Sequence, residues 1–186
     1  MNINLTKIIK ENISVAKSLL EEVSTIKKVC QISLKTIMSG KKIILCGNGG
    51  SASDSLHISS ELVGKFYKNR RSLPSISLNS NISSITAIAN DYGYNKIFSR
   101  QLESLGEKGD LLIAISTSGN SENVIDSVKT AISKDINVVA FTGKDGGKFN
   151  NYDIEILKVN STNVARIQEM HILVGHIIAN YLEENC

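Results

Sequence analysis

The chain has 186 residues, 41% of them hydrophobic and 21% charged, with a net charge of +3, which suits one globular domain with a proper core. The basic run Lys65, Lys68, Arg70 and Arg71 is short and interleaved only with Phe66 and Tyr67, so it reads as a solvated loop and no nucleic-acid partner is expected. No apolar run approaches the ~18 residues needed to cross a bilayer, and the N-terminus lacks a basic-then-apolar signal pattern, so no membrane partner is expected. Cys30, Cys46 and Cys186 are widely spaced and form no CxxC, which predicts neither a disulfide framework nor a thiolate zinc site and suits a cytoplasmic chain.

Residues 3–38 hold no Gly or Pro and place Leu19, Val23, Ile26, Cys30, Leu34 and Ile37 at steps of three and four. This period predicts an amphipathic lead-in, broken into two helices and ended by Gly40, that packs on the body or on another subunit. From Lys41 the pattern becomes βα. Ile43 to Cys46 is a short apolar strand, and a Gly-rich loop leads from it into a helix through Ser53 to about Lys65. A weaker strand, Ser75 to Leu78, follows the single proline, Pro74. The stretch from Ser80 to Ala89 reads as a helix with a serine or asparagine cap, broken by Asn90-Asp91-Tyr92-Gly93. Leu111 to Ile115 and Val138 to Phe141 are buried-strand candidates around a helix from Glu122 to Ser133, with Asp153 to Leu157 as a fifth strand. Val164 to Leu182 closes the chain as a helix after Ser161-Thr162-Asn163. This alternation implies a parallel sheet in one α/β domain.

Two of the strand ends carry small-residue loops. Gly47-x-Gly49-Gly50-Ser51 could simply permit close packing of helix on sheet. The second loop puts Ser116, Thr117, Ser118 and Ser121 around Gly119 at a helix start. Hydroxyls and backbone N–H groups there can hold a phosphate without fixed positive charge, although serine capping alone would use the same residues. Neither loop has the P-loop spacing or the Gly-x-Gly-x-x-Gly of a dinucleotide binder, so a sugar phosphate fits better than a nucleotide. His57 and Glu61 stand at i and i+4, able to face one point, as a surface His–Glu pair also would. On the last helix, Gln168, His171 and His176 offer further donors. Gln168 and His176 are eight residues apart, ~80° around the helix and ~12 Å along it. One metal held at ~2.0 to 2.2 Å is awkward for both from a single chain, so the expected site is shared between subunits.

Taken together, these loops, His57-x-x-x-Glu61 and the Arg166-Ile167-Gln168-Glu169-Met170-His171 stretch resemble the phosphoheptose isomerases of the sugar-isomerase (SIS) domain family over nearly the whole chain. The resemblance implies a five-stranded parallel sheet flanked by helices, a flavodoxin-like three-layer sandwich. Residues 41–186 would form the SIS domain, with residues 1–40 an N-terminal helical extension of the same domain that makes oligomer contacts. It implies one Zn2+ per subunit on His57, Glu61, Gln168 and His176, with Glu61 and His176 as the acid–base pair. Substrate contacts would fall on Asn48, Gly49, Gly50, Ser51, Glu61, Asn90, Asp91, Ser116, Thr117, Ser118, Ser121 and Gln168, the serines holding the phosphate. The implied reaction converts sedoheptulose 7-phosphate to D-glycero-D-manno-heptose 7-phosphate through an enediol. It would be the first step toward ADP- or GDP-heptose for lipopolysaccharide and capsule, carried out by a homotetramer. One departure is Ala165, where several family members carry an aspartate; His171 lies outside the implied ligand set. The alternatives are a non-catalytic SIS-domain protein of the kind that binds a replication initiator, and an isomerase of another sugar phosphate.

Overall fold

The computed structural model describes residues 3–186. Two N-terminal helices, α1 (Leu5–Ser18) and α2 (Val23–Met38), are joined by a 3-10 turn at Leu19–Glu22. Asn4 caps α1 by accepting the Lys7 N–H, and Gly40, at φ +70°, ends the lead-in. Leu19, Ile26, Cys30 and Ile37 are buried as the period requires, whereas Val23, at the joint, is exposed. The α2 helix contributes to the main core. By contrast α1 buries only Val15 and is tied to the last helix by polar contacts. There the Arg166 guanidinium donates to the Ile8 carbonyl at 3.1 Å and to Glu169 at 2.5 Å, and Asn12 donates to Glu169 at 2.7 Å.

The sheet consists of β1 (Ile43–Gly47), β2 (Ser75–Ser77), β3 (Leu111–Ile115), β4 (Asn137–Gly143) and β5 (Glu155–Val159), all parallel in the order β2-β1-β3-β4-β5. Side chains along the central strands alternate between two cores. Ile43 and Leu45 of β1 pack with Leu111 and Ile113 beneath α2, α3 (Gly50–Val63) and α7 (Val164–Asn185). Ile44 and Cys46 pack with Leu112 and Ala114 beneath α5 (Ser99–Leu105) and α6 (Glu122–Ser133). Burial on both faces explains why these strands are continuous apolar runs. The chain leaves β1 toward β2 on one side and returns to β3 on the other. The carboxyl ends of β1 and β3 therefore flank a topological switch point, where open α/β sheets hold their ligands.

Several boundaries differ from expectation. The helix after β1, expected to reach about Lys65, ends at Val63; it begins at Gly50, where Gly49 at φ +57° turns the chain and its carbonyl accepts from Ala52 and Ser53. Helix α4 (Ile82–Tyr92) runs through Asn90 and Asp91, which are helical rather than helix-breaking; Gly93, at φ +86°, stops it. The last strand starts two residues late, since pairing with β4 matches Val139 to Glu155 and Gly143 to Val159. Helix α5 was not expected from the pattern.

Candidate active site

The two small-residue loops meet at the switch point. At Gly47 the backbone approaches Ser51 so closely that a Cβ would lie 2.7 Å from the Ser51 side chain. Asn79 locks this strand end, accepting from Gly47 N at 3.2 Å and donating to Gly47 O at 2.9 Å. The Asn48 amide pairs reciprocally with that of Asn123 on α6, at 2.8 and 2.9 Å, and accepts the Tyr94 hydroxyl at 2.9 Å. In the second loop, Ser116 and Ser121 bring their hydroxyls to 3.0 Å, and Gly119, at φ +65°, makes the turn. Gly119 lies so near Gly146 that a Cβ would sit 2.2 Å from the Gly146 carbonyl oxygen. Neither N-cap residue, Gly49 of α3 or Ser121 of α6, makes a side-chain capping hydrogen bond, although on α6 the Asn123 amide oxygen accepts the Val124 N–H at 3.0 Å. Their first-turn N–H groups thus leave two partly positive helix ends at one crevice.

That crevice is a cavity of about 250 Å³ lined by Asn48, Gly49, Gly50, Ser51, Ile115, Ser116, Thr117, Ser121, Val164 and Gln168. Ser118 is placed elsewhere. Its hydroxyl accepts the Asn120 N–H at 3.2 Å, and it lines a neighbouring cavity with Thr117, Lys144 and Asp145. Asn90 and Asp91 are also not brought to the crevice within one chain. Asn90 donates to Asp91 at 2.8 Å, and Asp91 lines a groove between α4 and α5.

Helices α3 and α7 run side by side in the same direction. Gly50 faces Gln168, Ile58 faces Gly175, and His57 faces His176. Gly175 is what permits this approach, since a Cβ there would meet Ile58 Cγ1 at 2.5 Å. One end of the helix pair thus presents Gln168 to the crevice. The other gathers His57, Glu61 and His176, whose donor atoms all lie within 4.8 Å of one another. His57 Nε2 is 3.2 Å from Glu61 Oε1 and 3.4 Å from His176 Nε2. Ligands at ~2.0 to 2.1 Å in a tetrahedron are separated by roughly 3.3 Å, so the separations of His57 from Glu61 and from His176 match those of ligands around a zinc-sized cation. The two imidazoles meet edge to face, 5.1 Å between centroids, and Phe66 packs on His176 at 5.5 Å. Gln168 stays about two turns away, ~12 Å for eight residues.

Asp54 lies on α3 one turn before His57. Burial pushes its carboxyl up to about 6, partly offset by His57, and its Oδ2 is buried without a hydrogen-bond partner among the described residues. His171 is wholly buried. Its Nε2 donates to the Thr142 carbonyl at 3.3 Å, and burial lowers the imidazole to about 4 despite that bond. It is a neutral packing residue outside the site. Asn123, Tyr94, Asp54 and Phe66 are the contributors that sequence reasoning missed. Only Asp54 carried a local signal, its i, i+3 spacing to His57.

Residues 10–143 match the family model described as SIS domain. A phosphoheptose isomerase of Nitratiruptor sp. is 44% identical over 182 residues, covering 92% of this chain and 97% of that protein. The chain belongs to the phosphoheptose isomerase family of SIS-domain enzymes. A phosphoheptose isomerase of Aliarcobacter butzleri is 46% identical over 180 residues, covering 95% of each. Among solved structures, the phosphoheptose isomerase GmhA from Neisseria gonorrhoeae superposes with a TM-score of 0.91 at 38% identity, covering 97% of both chains. One from Francisella tularensis gives 0.90 at 33% identity, covering 98% of this chain and all of that one. These family members share the architecture, N-terminal helices included.

Proposed function

We propose that the protein interconverts sedoheptulose 7-phosphate and D-glycero-D-manno-heptose 7-phosphate, supplying nucleotide-activated heptose for surface polysaccharide. The observation that carries this reading is the pairing, along α3 and α7, of a hydroxyl-lined crevice with a His–Glu–His cluster. The crevice suits a phosphate dianion. Two helix N-termini and the hydroxyls of Ser51, Ser116, Thr117 and Ser121 can surround it, with Ser118 reached through the adjoining cavity. Asn48, Gly49 and Gly50 supply backbone and amide groups at its floor.

Moving the carbonyl from C2 to C1 requires a proton to leave C1, a proton to reach O2, a proton to leave O1, and one to return to C2. In our reading Glu61 takes the C1 proton and, after exchange with solvent, returns one to C2. His176 protonates O2 and then accepts the O1 proton, so the enediol forms and collapses with no net change in the enzyme. His57 holds Glu61 and His176 at the spacing these transfers need. Zn2+ on His57, Glu61 and His176 would supply Lewis acidity at the O1/O2 pair, and because a lone pair given to zinc cannot also take a proton, Glu61 and His176 would not ligate the ion and carry protons through the same atom at once.

The separation of Gln168 from the cluster supports a site completed between copies, with Gln168 of one protomer meeting the cluster of another. Exposed apolar residues on α1 and α4, among them Leu5, Ile9, Ile82 and Tyr92, supply surface for such an assembly, in keeping with a tetramer. In this arrangement Asn90 and Asp91 would reach substrate from a neighbouring copy. Mixing Gln168→Ala with His176→Ala protein tests the sharing, because hybrids should regain part of the activity. No regain after confirmed subunit exchange would contradict it. Competition between sedoheptulose 7-phosphate and a shorter ketose phosphate tests the substrate: the heptulose should be preferred in kcat/KM. Preference for the shorter sugar would reassign the activity. Tight binding of the sugar phosphate without turnover would indicate a non-catalytic module.

A further inference from the structure

The ten or so residues between α3 and β2 have almost no regular structure, and a connection of that kind is ordinarily mobile. Here it is fastened from two sides. The Glu183 carboxylate, on α7, has a side chain only 1% exposed. It accepts the backbone N–H groups of Phe66 at 3.0 Å, Tyr67 at 2.7 Å and Lys68 at 2.6 Å. Arg70 lies against it, its side chain 7% exposed and its Nε 3.3 Å from Glu183 Oε2, an ion pair off the hydrogen-bond direction. The rest of the guanidinium closes the end of α3. It donates to the carbonyls of Glu61 at 2.8 Å, Leu62 at 2.9 Å, Gly64 at 3.2 Å and Arg71 at 3.0 Å. Burial alone would raise the Glu183 carboxyl. The N–H groups of Phe66, Lys68 and Tyr67 and the charge of Arg70 outweigh it and hold the group below the ordinary carboxylate range.

Both ends of this clamp bear on the site. Glu183 follows His176 by seven residues, about two turns on the same face of α7. The three N–H groups it holds fix the segment that starts with Phe66, whose ring packs on His176. Arg70 holds the carbonyl of Glu61 itself. We infer that Glu183 and Arg70 are positioning residues, setting Glu61 and His176 in register by clamping the 66–68 segment and the end of α3 to α7. The inference rests on the assignment of Glu61 and His176 to the reaction. The carboxylate is required because all its partners are donors; an amide would turn an NH2 toward backbone N–H groups.

The test uses the full-length zinc-loaded protein and the variants Glu183→Gln and Phe66→Ala. The second leaves the ion pair in place and removes only the final contact, so it stays informative if Glu183→Gln fails to fold. Loss of a residue that orients metal ligands costs typically 10- to 100-fold in affinity or activity. Each folded variant should lose about that much in kcat, with KM within about twofold. Zn2+ affinity, read by competition with a chromophoric chelator, should weaken about tenfold or more. A purely structural role would lower the melting temperature and leave kcat, KM and Zn2+ affinity unchanged; that result in both variants overturns the inference. Should Glu61→Gln remain active while Phe66→Ala or Glu183→Gln weakens Zn2+ binding, the catalytic assignment fails and the positioning role stands.

Discussion

Gly50→Ala should separate folding from activity. Gly50 opens α3 without a positive φ, so alanine fits the backbone and gains up to ~1 kcal/mol of helix propensity. Its Cβ, however, would lie 2.3 Å from Gln168 Nε2, 2.6 Å from Cδ and 2.7 Å from Oε1. Because ordinary contact begins near 3.4 Å, the amide must withdraw by about 1 Å, and a displacement of that size can cost ~100-fold in rate. Being the far end of a flexible side chain, the amide can move at little cost to stability. The expected outcome is a melting temperature unchanged or a few degrees higher, with kcat/KM down by about two orders of magnitude. Gln168→Ala should lose about as much, and the double variant little more than either alone, since both act through one amide. Full kcat/KM in a normally folded Gly50→Ala protein would refute the role given to Gln168 and to its contact with Gly50.

Gly175→Ala should act on stability instead. Its Cβ would meet Cγ1 and Cδ1 of fully buried Ile58 at 2.5 and 2.6 Å, an overpacking cost of about 1–3 kcal/mol. Urea midpoints should fall accordingly, and Ile58→Ala should cost less in the Gly175→Ala chain than in the parent, where it opens a cavity. His171, held near 4 when folded against 6.5 unfolded, makes the unfolded state bind the extra proton between those values. Its contribution is intact above pH 6.5 and is lost as pH falls toward 4, by up to about 3 kcal/mol. In chelator-treated protein His171→Asn should therefore lose less urea stability than the parent between pH 7 and 4.5; equal losses would contradict this. Asp54 has the opposite sign. Its carboxyl, raised to about 6, favours the folded state's protonated form and penalises folding once ionised. Asp54→Asn should raise the melting temperature of chelator-treated protein at pH 8, and the gain should vanish near pH 4.

The strands β1 and β3 and helix α6 were legible because their residues state their environment locally. The strands are uninterrupted apolar runs between turn residues, and α6 starts at a serine and keeps a 3.6 period. Helix α5 was not legible, since seven residues give too little period, and it is held by Phe98 and Leu102 buried in the second core. The helical state of Asn90 and Asp91 runs against their turn propensity and is decided at Gly93, where the positive φ falls. In the site, composition marked both loops, and i, i+4 spacing marked His57 with Glu61. Nothing local joins them to His176, 119 residues away. That meeting depends on α3 and α7 packing in parallel through Gly175. Tyr94 and Asn123 reach Asn48 across 46 and 75 residues, distances at which a single sequence carries no pairing signal.

In the proposed reaction Glu61 moves a proton between C1 and C2 of a heptose phosphate. Incubating zinc-loaded protein with sedoheptulose 7-phosphate in D2O, beside Glu61→Gln of equal zinc content, tests it by NMR. The parent should give aldose product with deuterium at the exchanged carbon, and the variant neither. Labelled product formed by Glu61→Gln at the parent's rate would contradict it.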